Sequence, residues 1–255
     1  MTDLRDDLGQ PVPLARAPRR VVSLVPSITE SLAATVPDRL VGATDWCTHP
    51  ADLDVARVRG TKNPDLAAVA ALAPDLVVAN QEENRELDVR RLRERGVPVW
   101  VTVTETVAQA LDSLDRLFVG AFGVEPDWLA AARAEWTAVD AARGSAAVAI
   151  WRDPWMVVGR DTFTGDLLRL LGVANVFAGD ADRYPATTPE EIEARSPDVV
   201  LLPDEPYVFT ADDGPEAFAT RTALLSGRLL TWYGPSLVGA RESLLHGIGL
   251  APYSD

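Results

Sequence analysis

Acidic side chains follow two similar segments of the chain, residues 70–82 and 193–205. Each segment contains the end of a helix, a Pro-Asp turn, a short apolar run and acidic residues. Glu82 and Glu205 each lie eight positions after the proline of their own segment. Two carboxylates brought together would favour a cationic ligand, a metal ion, or protonation of one of them. Enzymes also use such pairs for acid–base chemistry, so binding and catalysis are both open at this point.

Aromatic side chains are the second chemical feature, because they recur where predicted strands end. The set comprises Trp46, Trp151, Trp155, Tyr184, Tyr207, Trp232 and Tyr233. Aromatic rings in loops at strand ends suit a large, flat, partly apolar ligand. The alternative is that several of these rings belong to the core, and we expect Trp155 or Tyr207 to be partly structural.

Two potential metal ligands lie close together in the loop at residues 45–50. Cys47 is the only cysteine of the chain, and His49 is one of two histidines. Thiolate and imidazole both bind soft metals, but two ligands do not make a protein-only site. His49 is either an exposed surface residue or a ligand-facing one, where its neutral ring could coordinate an open axial position of a chelated metal.

The elements that position these residues follow from the two Pro-Asp turns. Pro74 and Pro197 end the preceding helices, because proline cannot continue a helix and restrains the residue before it. The unbroken apolar runs at residues 76–79 and 199–202 are typical of parallel strands covered on both faces. In parallel α/β sheets, ligands meet the carboxyl ends of the strands. The acidic loops are therefore predicted to face a ligand.

The wider pattern predicts an α/β fold with two Rossmann-like parallel-sheet lobes joined by one long rigid α-helix. Residues 1–19 are expected to form an extended arm, residues 20–125 the first lobe and residues 144–255 the second. The connecting helix is predicted for residues 126–143, between Pro126 and the stop at Gly144, and would be about 27 Å long.

Three smaller elements are also predicted. Ser27 to Glu30 resembles a capping box that opens a helix, and residues 188–191, Thr-Pro-Glu-Glu, form a clear helix start. The apolar run at residues 229–232 is predicted to be the last strand.

Composition narrows the class of partner. The chain has 255 residues, 47% of them apolar, and a formal net charge of −14. This charge argues against nucleic acid or an anionic membrane surface as partner, since both need basic patches. No stretch reaches the length of a membrane-spanning helix, and residues 1–20 lack the apolar core of a secretion signal. The sequence as given predicts a cytoplasmic protein, or a periplasmic or extracellular one from which a signal was removed.

Known catalytic spacings do not occur in the chain. It contains no Walker loop, no G-x-S-x-G elbow, no H-E-x-x-H motif and no glycine fingerprint for a dinucleotide. The chain has only two histidines, far apart in sequence, so it offers few groups for histidine-based acid–base catalysis. We therefore expect no catalytic residues and no enzymatic activity.

Four short motifs, taken in order, resemble a known class of proteins. They are RVVSLVPS at residues 20–27, GTKN at 60–63, LAPDLV at 72–77 and SPDVV at 196–200. The ordered set resembles the vitamin B12-binding and siderophore-binding class of ABC-transporter substrate-binding proteins, which have two α/β lobes joined by one long helix. The resemblance is greatest to the cobalamin-binding branch, in which an aromatic residue stands where His49 precedes Pro50 and a Trp stands where Trp232 does.

The resemblance implies a monomer that holds a cobalamin-like corrinoid or another metal chelate between its lobes, without a covalent cofactor. Trp46, His49, Glu82, Trp151, Glu205 and Trp232 are predicted to line one inter-lobe pocket, with His49 as the candidate metal-coordinating residue. The full set of predicted ligand-binding residues is Trp46, His49, Lys62, Asn63, Gln81, Glu82, Glu83, Trp151, Arg152, Tyr184, Glu205, Tyr207, Trp232 and Tyr233.

Two alternatives remain open. One is an enzyme that acts on such a chelate through Glu82, Glu83 and Glu205. The other is a cytoplasmic metal-ion receptor that uses His49 with the carboxylates.

The sequence also departs from the class at the positions expected to dock a membrane permease. Members place a glutamate early in the helix after the GTKN motif, where this chain has Ala67 and Ala68. The second glutamate, expected near Trp232, is replaced by Gly234-Pro235. These departures argue against delivery to an ABC permease in the manner of the class.

Overall fold

Residues 4–253 are described by the structure, a computed structural model, and they divide into two units. Unit 1 comprises the chain up to residue 103 together with residues 109–130 and 233–235. Unit 2 comprises residues 104–108, residues 131–232 and the chain from residue 236.

Unit 1 contains a five-stranded sheet in which every neighbouring pair is parallel. Its order is β3-β2-β1-β6-β7, and β4 and β5 form a separate antiparallel pair. The strands are β1 Val21–Ser23, β2 Leu40–Ala43, β3 Ala56–Arg57, β4 Arg59–Gly60, β5 Asn63–Pro64, β6 Leu76–Asn80 and β7 Val99–Thr102. The apolar runs form strands here because valine and leucine side chains on both faces of the sheet are buried.

The sheet of unit 2 has a parallel centre and an antiparallel edge. Its order is β11-β9-β8-β12-β13, with β10 also paired to β8. The strands are β8 Gly144–Trp151, β9 Trp155–Val157, β10 Val173–Asn175, β11 Ala186–Thr187, β12 Val199–Pro203 and β13 Thr222–Leu225. The pairs of β8 with β10, β8 with β12 and β12 with β13 are parallel, whereas β9 is antiparallel to β8 and to β11. The predicted α/β class with two parallel sheets is confirmed, and the antiparallel edge of unit 2 is an addition.

Nine α-helices occur within residues 4–253. They are α1 Pro26–Thr35, α2 Leu66–Ala71, α3 Glu86–Glu94, α4 Val107–Asp115, α5 Asp127–Glu135, α6 Phe163–Leu170, α7 Pro189–Ala194, α8 Gly227–Thr231 and α9 Ala240–Ile248. A π-helix at Arg116–Phe122 continues α4, and short 3-10 helices occur at Pro37–Arg39, Pro215–Ala217 and Pro235–Leu237. No helix in the described part of the chain combines the length and apolar character needed to cross a membrane.

The aspartates of the two Pro-Asp turns have matching roles. The carboxylate of Asp75 accepts hydrogen bonds from the backbone N–H groups of Arg19 and Arg20, just before β1, at 2.9–3.0 Å. In unit 2 the carboxylate of Asp198 accepts from the backbone N–H of Ser145, at the start of β8, at 2.7 Å. Each aspartate therefore fixes the amino end of the parallel strand beside its own, which explains why the sequence segment occurs twice.

The helix predicted for residues 126–143 is much shorter in the structure. α5 has nine residues and ends at Glu135. Beyond it, the backbone N–H of Asp140 donates to the carbonyl of Leu170, the last residue of α6, at 2.9 Å. This N–H group is therefore not available to continue the helix. Val139, which lies within the predicted range of this helix, is 56% exposed.

Two further predicted elements are wrong, and one is confirmed. Residues 229–232 lie mostly in α8 rather than in a strand, because a short apolar run does not distinguish a strand from a buried helical turn. α1 begins at Pro26 without a side-chain cap, so the predicted capping box at Ser27 does not form. The helix start at Thr188 is confirmed, since Thr188 and Glu191 make a reciprocal capping box on α7.

Candidate functional site

The point at which the strand order reverses identifies the candidate site in unit 1. From β1 the chain moves to β2 and β3 on one side, and it later adds β6 and β7 on the other side. The carboxyl ends of β1 and β6 flank this reversal, and open parallel sheets bind ligands there. The loop that follows β6 carries Gln81, Glu82 and Glu83, all predicted from the sequence.

Asn80, the last residue of β6, holds this loop in place. Its side-chain oxygen accepts hydrogen bonds from the backbone N–H groups of Glu82 at 2.8 Å and Glu83 at 3.3 Å. Its side-chain nitrogen donates to the hydroxyl of Tyr233 at 3.0 Å. The backbone N–H of Asn80 donates to the side-chain oxygen of Asn84 at 2.8 Å. Both asparagines are buried, so these bonds fix the turn that presents the two glutamates.

The same network extends to the β4–β5 hairpin. The side-chain nitrogen of Asn84 donates to the carbonyl of Leu24, just after β1, at 3.2 Å and to the carbonyl of Thr61 at 3.0 Å. The ammonium of Lys62 donates to the carbonyl of Glu82. Asn63 is exposed in β5. Unit 1 therefore brings together the predicted residues Lys62, Gln81, Glu82, Glu83 and Tyr233.

Trp46 and His49 lie in the loop after β2. The Trp46 side chain is 65% exposed, although tryptophan is usually largely buried in proteins. The Nδ1 atom of His49 is 3.1 Å from the hydroxyl of Thr48, and the His49–Pro50 peptide bond is cis. The guanidinium of Arg57 fixes the loop by donating to the backbone carbonyl of Cys47 at 2.9 Å.

Cys47 is part of the core of unit 1. Its sulfur lies 3.0 Å from the hydroxyl of Thr29 and 3.1 Å from that of Thr44. Burial raises the pKa of the Cys47 thiol, which disfavours the thiolate that a metal would need. Within residues 4–253, no three side chains of His, Cys, Asp and Glu are grouped to hold a metal ion. The metal-receptor alternative has no support from this arrangement.

Unit 2 has a corresponding reversal between β8 and β12. β10 pairs with one side of β8, whereas β12 and β13 extend the sheet on the other side. Trp151 is the last residue of β8 and is 43% exposed. Its ring meets the ring of Tyr207 edge to face, with centroids 5.7 Å apart and an interplanar angle of 77°.

Arg152 lies in an ion-pair cluster beside these rings. Its guanidinium binds the carboxylates of Asp213 and Glu216 and stands over the ring of Trp155, 5.5 Å from the centroid. The hydroxyl of Tyr207 donates to Asp213 at 2.7 Å. Glu216 raises the pKa of the Arg152 guanidinium, and the hydrogen bond from Arg152 lowers the pKa of Glu216. The two shifts agree, since each group favours the charged form of the other.

Glu205 is held close to the start of α8. A Cβ atom on Gly227 would lie 2.3 Å from the Glu205 Cγ and 2.7 Å from its carbonyl oxygen, so only glycine allows this approach. The neighbouring Asp204 carboxylate accepts the backbone N–H of Gly227 at 2.6 Å. The predicted residue Tyr184 lies in another loop of unit 2 and is 36% exposed.

The structure places two predicted residues differently from the expectation of open loops. Trp232 and Tyr233 are buried, with exposures of 6% and 5%. Trp155 is also buried, which confirms that it is structural. The pocket predicted to join residues of both lobes stays a prediction.

Sequence reasoning missed four residues that position the candidate site, namely Asn80, Asn84, Asp213 and Glu216. Asn80 and Asn84 had a usable signal, because two asparagines four positions apart come after the apolar run at residues 76–79. Asp213 and Glu216 had no such signal, since they occur in a polar loop without a distinctive residue pattern.

Two shallow depressions lie elsewhere in unit 2. One, of about 440 Å³, is lined by residues that include Phe177, Glu191 and Arg195. The other, of about 680 Å³, is lined by residues that include Glu135 and His246. Neither contains a predicted ligand-binding residue, and the Arg195 guanidinium already stands 3.9 Å from the ring centroid of Phe177. We therefore favour the strand ends, where the polar and aromatic groups converge.

Comparison with known proteins shows that the chain is similar to substrate-binding proteins of ABC transporters. No model of a known protein family matches the chain. The vitamin B12-binding protein of Salmonella typhimurium is 28% identical over 205 residues, which cover 76% of this chain and 76% of that protein. An uncharacterized ABC transporter substrate-binding lipoprotein of Bacillus subtilis is 26% identical over 265 residues, which cover 95% of this chain and 84% of the relative.

Solved structures share the fold. The periplasmic vitamin B12-binding protein of Vibrio cholerae has a TM-score of 0.76 at 19% identity, covering 91% of this chain and 97% of its own. The apo periplasmic heme-binding protein of Roseiflexus sp. RS-1 has a TM-score of 0.74 at 21% identity, covering 90% and 97%. The predicted resemblance to the substrate-binding class is confirmed. The fold is that of the two-lobed periplasmic binding proteins with a helical backbone.

These similarities also bear on three other expectations. The relatives are named as binding proteins or transporter components rather than as enzymes, which agrees with the prediction of no catalytic activity. They give no support to a cytoplasmic location, since the similar proteins are described as periplasmic or as a lipoprotein. They also give no support to the argument that Ala67, Ala68 and Gly234-Pro235 exclude a permease partner.

Proposed function

We propose that this chain binds a metal chelate of the corrinoid type, with a cobalamin-like molecule as the favoured ligand, and delivers it to an ABC permease. Its site of action would then be the periplasm or the cell exterior. The proposal extends to this chain the ligand binding for which its sequence relatives and fold neighbours are named. It needs no catalytic group and no covalently bound cofactor.

One observation carries the proposal. In each sheet, a loop predicted to contact a ligand follows a strand that flanks the reversal of strand order. In unit 1 these loops carry Glu82 and Glu83, and in unit 2 they carry Trp151 and Glu205. Parallel α/β sheets bind ligands at such points, so the topology of both units supports the same assignment.

The residue types at these ends suit a large, flat, partly polar chelate. Trp46 and Trp151 expose rings that can cover the apolar faces of a macrocycle. Glu82, Glu83 and Glu205 can accept hydrogen bonds from amide groups at its rim or meet a cationic centre. His49 is the residue proposed to coordinate an open axial position of the metal.

A spectroscopic titration tests this proposal. Purified protein is titrated with cyanocobalamin, hemin and a ferric siderophore while the ligand absorption and the tryptophan fluorescence are followed. We expect saturable binding of the corrinoid, with tryptophan quenching. Replacing Trp46 or Trp151 with alanine should weaken binding about tenfold each, because each ring contributes roughly 1–2 kcal/mol of apolar and stacking contact.

Tyr253→Ala is the matched control, because Tyr253 is an aromatic residue with 66% exposure outside the proposed site. Its removal should leave the affinity unchanged. His49→Ala should alter the absorption bands of a bound chelate if His49 is an axial ligand. If only hemin or only the siderophore binds saturably, the ligand is that chelate and not a corrinoid. If none of the three ligands binds, the proposed function is refuted.

A further inference from the structure

Arg152 is fully engaged within unit 2, although the sequence placed it among the ligand contacts. Its side chain is only 25% exposed. One nitrogen, Nη1, binds the carboxylates of both Asp213 and Glu216, and the guanidinium also stands over the ring of Trp155. A ligand group that competes for this cation would have to displace a carboxylate.

The charge of the cluster also disfavours a role in binding anions. One guanidinium faces the carboxylates of Asp213 and Glu216, so the three groups carry a formal net charge of −1 when ionised. An anionic group of a ligand would therefore meet net repulsion there. A direct contact between Arg152 and a ligand carboxylate or phosphate is thus unfavourable.

The cluster is instead linked to the exposed aromatic pair. Arg152 directly follows Trp151 in the chain, and Asp213 binds both Arg152 and the hydroxyl of Tyr207. The ring centroids of Tyr207 and Trp151 are 5.7 Å apart. These contacts connect the β8–β9 hairpin to the segment between β12 and β13. The ring of Tyr207 also contacts the ring of Phe209, with centroids 4.7 Å apart.

We propose that Arg152 is a positioning residue, which fixes the Trp151–Tyr207 pair through Asp213 and Glu216 so that the pair forms a preorganised platform for the flat face of the ligand. This inference rests on the proposed function for the identity of the ligand, but the positioning itself can be tested without one. Fixing the rings before binding reduces the entropy lost when the ligand orders them.

The ligand-free test uses protein labelled with 5-fluorotryptophan and ¹⁹F NMR. The chain has seven tryptophans, and Trp151→Phe identifies the Trp151 resonance by its loss. Glu216→Gln removes one partner of Arg152 while leaving Trp151 untouched, so we expect it to shift or broaden that resonance. Tyr207→Phe keeps the ring and removes only the hydroxyl bond to Asp213, and it should have a similar effect.

Glu242→Gln is the control for the NMR experiment, since Glu242 lies on α9 of the same unit, outside the cluster. It should leave the Trp151 resonance in place. A Trp151 resonance that is unchanged in both Glu216→Gln and Tyr207→Phe would overturn the positioning role. This result is independent of whether any chelate binds.

The ligand-bound test is a double-mutant cycle with cyanocobalamin. Arg152→Gln should weaken binding about tenfold in the wild-type background, and less than about twofold once Trp151→Ala has removed the platform. Arg160→Gln is the control, because Arg160 pairs only with the adjacent Asp161 among the ion pairs of the described residues. An equal loss in both backgrounds would make Arg152 a direct ligand contact and contradict the inference. Absence of corrinoid binding by wild type would refute the proposed function, and the NMR experiment would still decide the positioning.

Discussion

At the scale of single residues, Tyr207 shows how a side chain acquires its role from a partner that sequence does not reveal. Its hydroxyl donates to Asp213, six positions later in a polar loop. This hydrogen bond, with burial and the charge of Asp213, raises the pKa of the Tyr207 phenol. The neutral phenol is therefore favoured in the folded chain.

The pKa of Tyr207 gives a prediction at this scale. Difference titration of phenolate absorption between wild type and Tyr207→Phe should show Tyr207 ionising above pH 10, the usual range for tyrosine. Asp213→Asn should move the transition back towards the usual value, because the carboxylate charge that opposes ionisation is gone. Since the folded pKa is raised, the contribution to stability is present below the unfolded pKa and is lost as pH rises through the folded pKa. A Tyr207 transition at or below the usual value would show that the hydrogen bond does not form.

At the scale of elements, the regular parts of the fold were predictable because one physical rule decides each of them. The strands after Pro74 and Pro197 follow from unbroken apolar runs that must be buried on both faces, and α7 follows from a local capping box. The length of α5 could not be predicted, because the backbone N–H of Asp140 binds Leu170, which is thirty positions away. The helical state of residues 227–231 could not be predicted either, since the two adjacent leucines at 229 and 230 fit both a strand and a helix.

The candidate site was also predictable only in part, namely where a single physical rule decides the position of a residue. The topology of parallel sheets placed Glu82, Trp151 and Glu205 at strand ends without any knowledge of contacts. The groups that hold these residues were not predictable from sequence, since the ion pairs of Asp213 and Glu216 with Arg152 join residues more than sixty positions apart. Tyr233 is predicted to bind the ligand, which stays a prediction, and its hydroxyl accepts a hydrogen bond from Asn80 that the sequence does not reveal.

The carboxyl end of β6 gives a prediction at the element scale. Asn80→Ala should lower the free energy of unfolding by about 1–3 kcal/mol, because it leaves the buried hydroxyl of Tyr233 and the N–H groups of Glu82 and Glu83 with one partner fewer. Chemical denaturation measures the change. The control is Asn63→Ala, an exposed asparagine of the neighbouring hairpin, for which we expect a change within about 0.5 kcal/mol. Equal effects of the two substitutions would mean that the Asn80 network does not hold the loop.

At the scale of the whole molecule, two sheets with different edges share one topological feature, a reversal of strand order between parallel strands. Unit 1 has a wholly parallel sheet and unit 2 an antiparallel edge, yet each has predicted ligand-binding residues beside the reversal of its strand order, Glu82 and Glu83 in unit 1 and Trp151 and Glu205 in unit 2. The duplicated Pro-Asp segment is the part of the sequence that the two sheets share, since it begins β6 in unit 1 and β12 in unit 2. A ligand of the proposed class would use both sets of loops.

Hydrogen–deuterium exchange with and without saturating cyanocobalamin tests this central claim most directly, because it locates the ligand without any substitution. We predict slower exchange in peptides that cover residues 81–84 of unit 1 and in peptides that cover residues 151–153 and 204–207 of unit 2. Peptides that cover the two shallow depressions, around residues 186–195 and 239–246, should exchange at the same rate in both states. Protection confined to those depressions, or to the loops of one unit alone, would contradict the account.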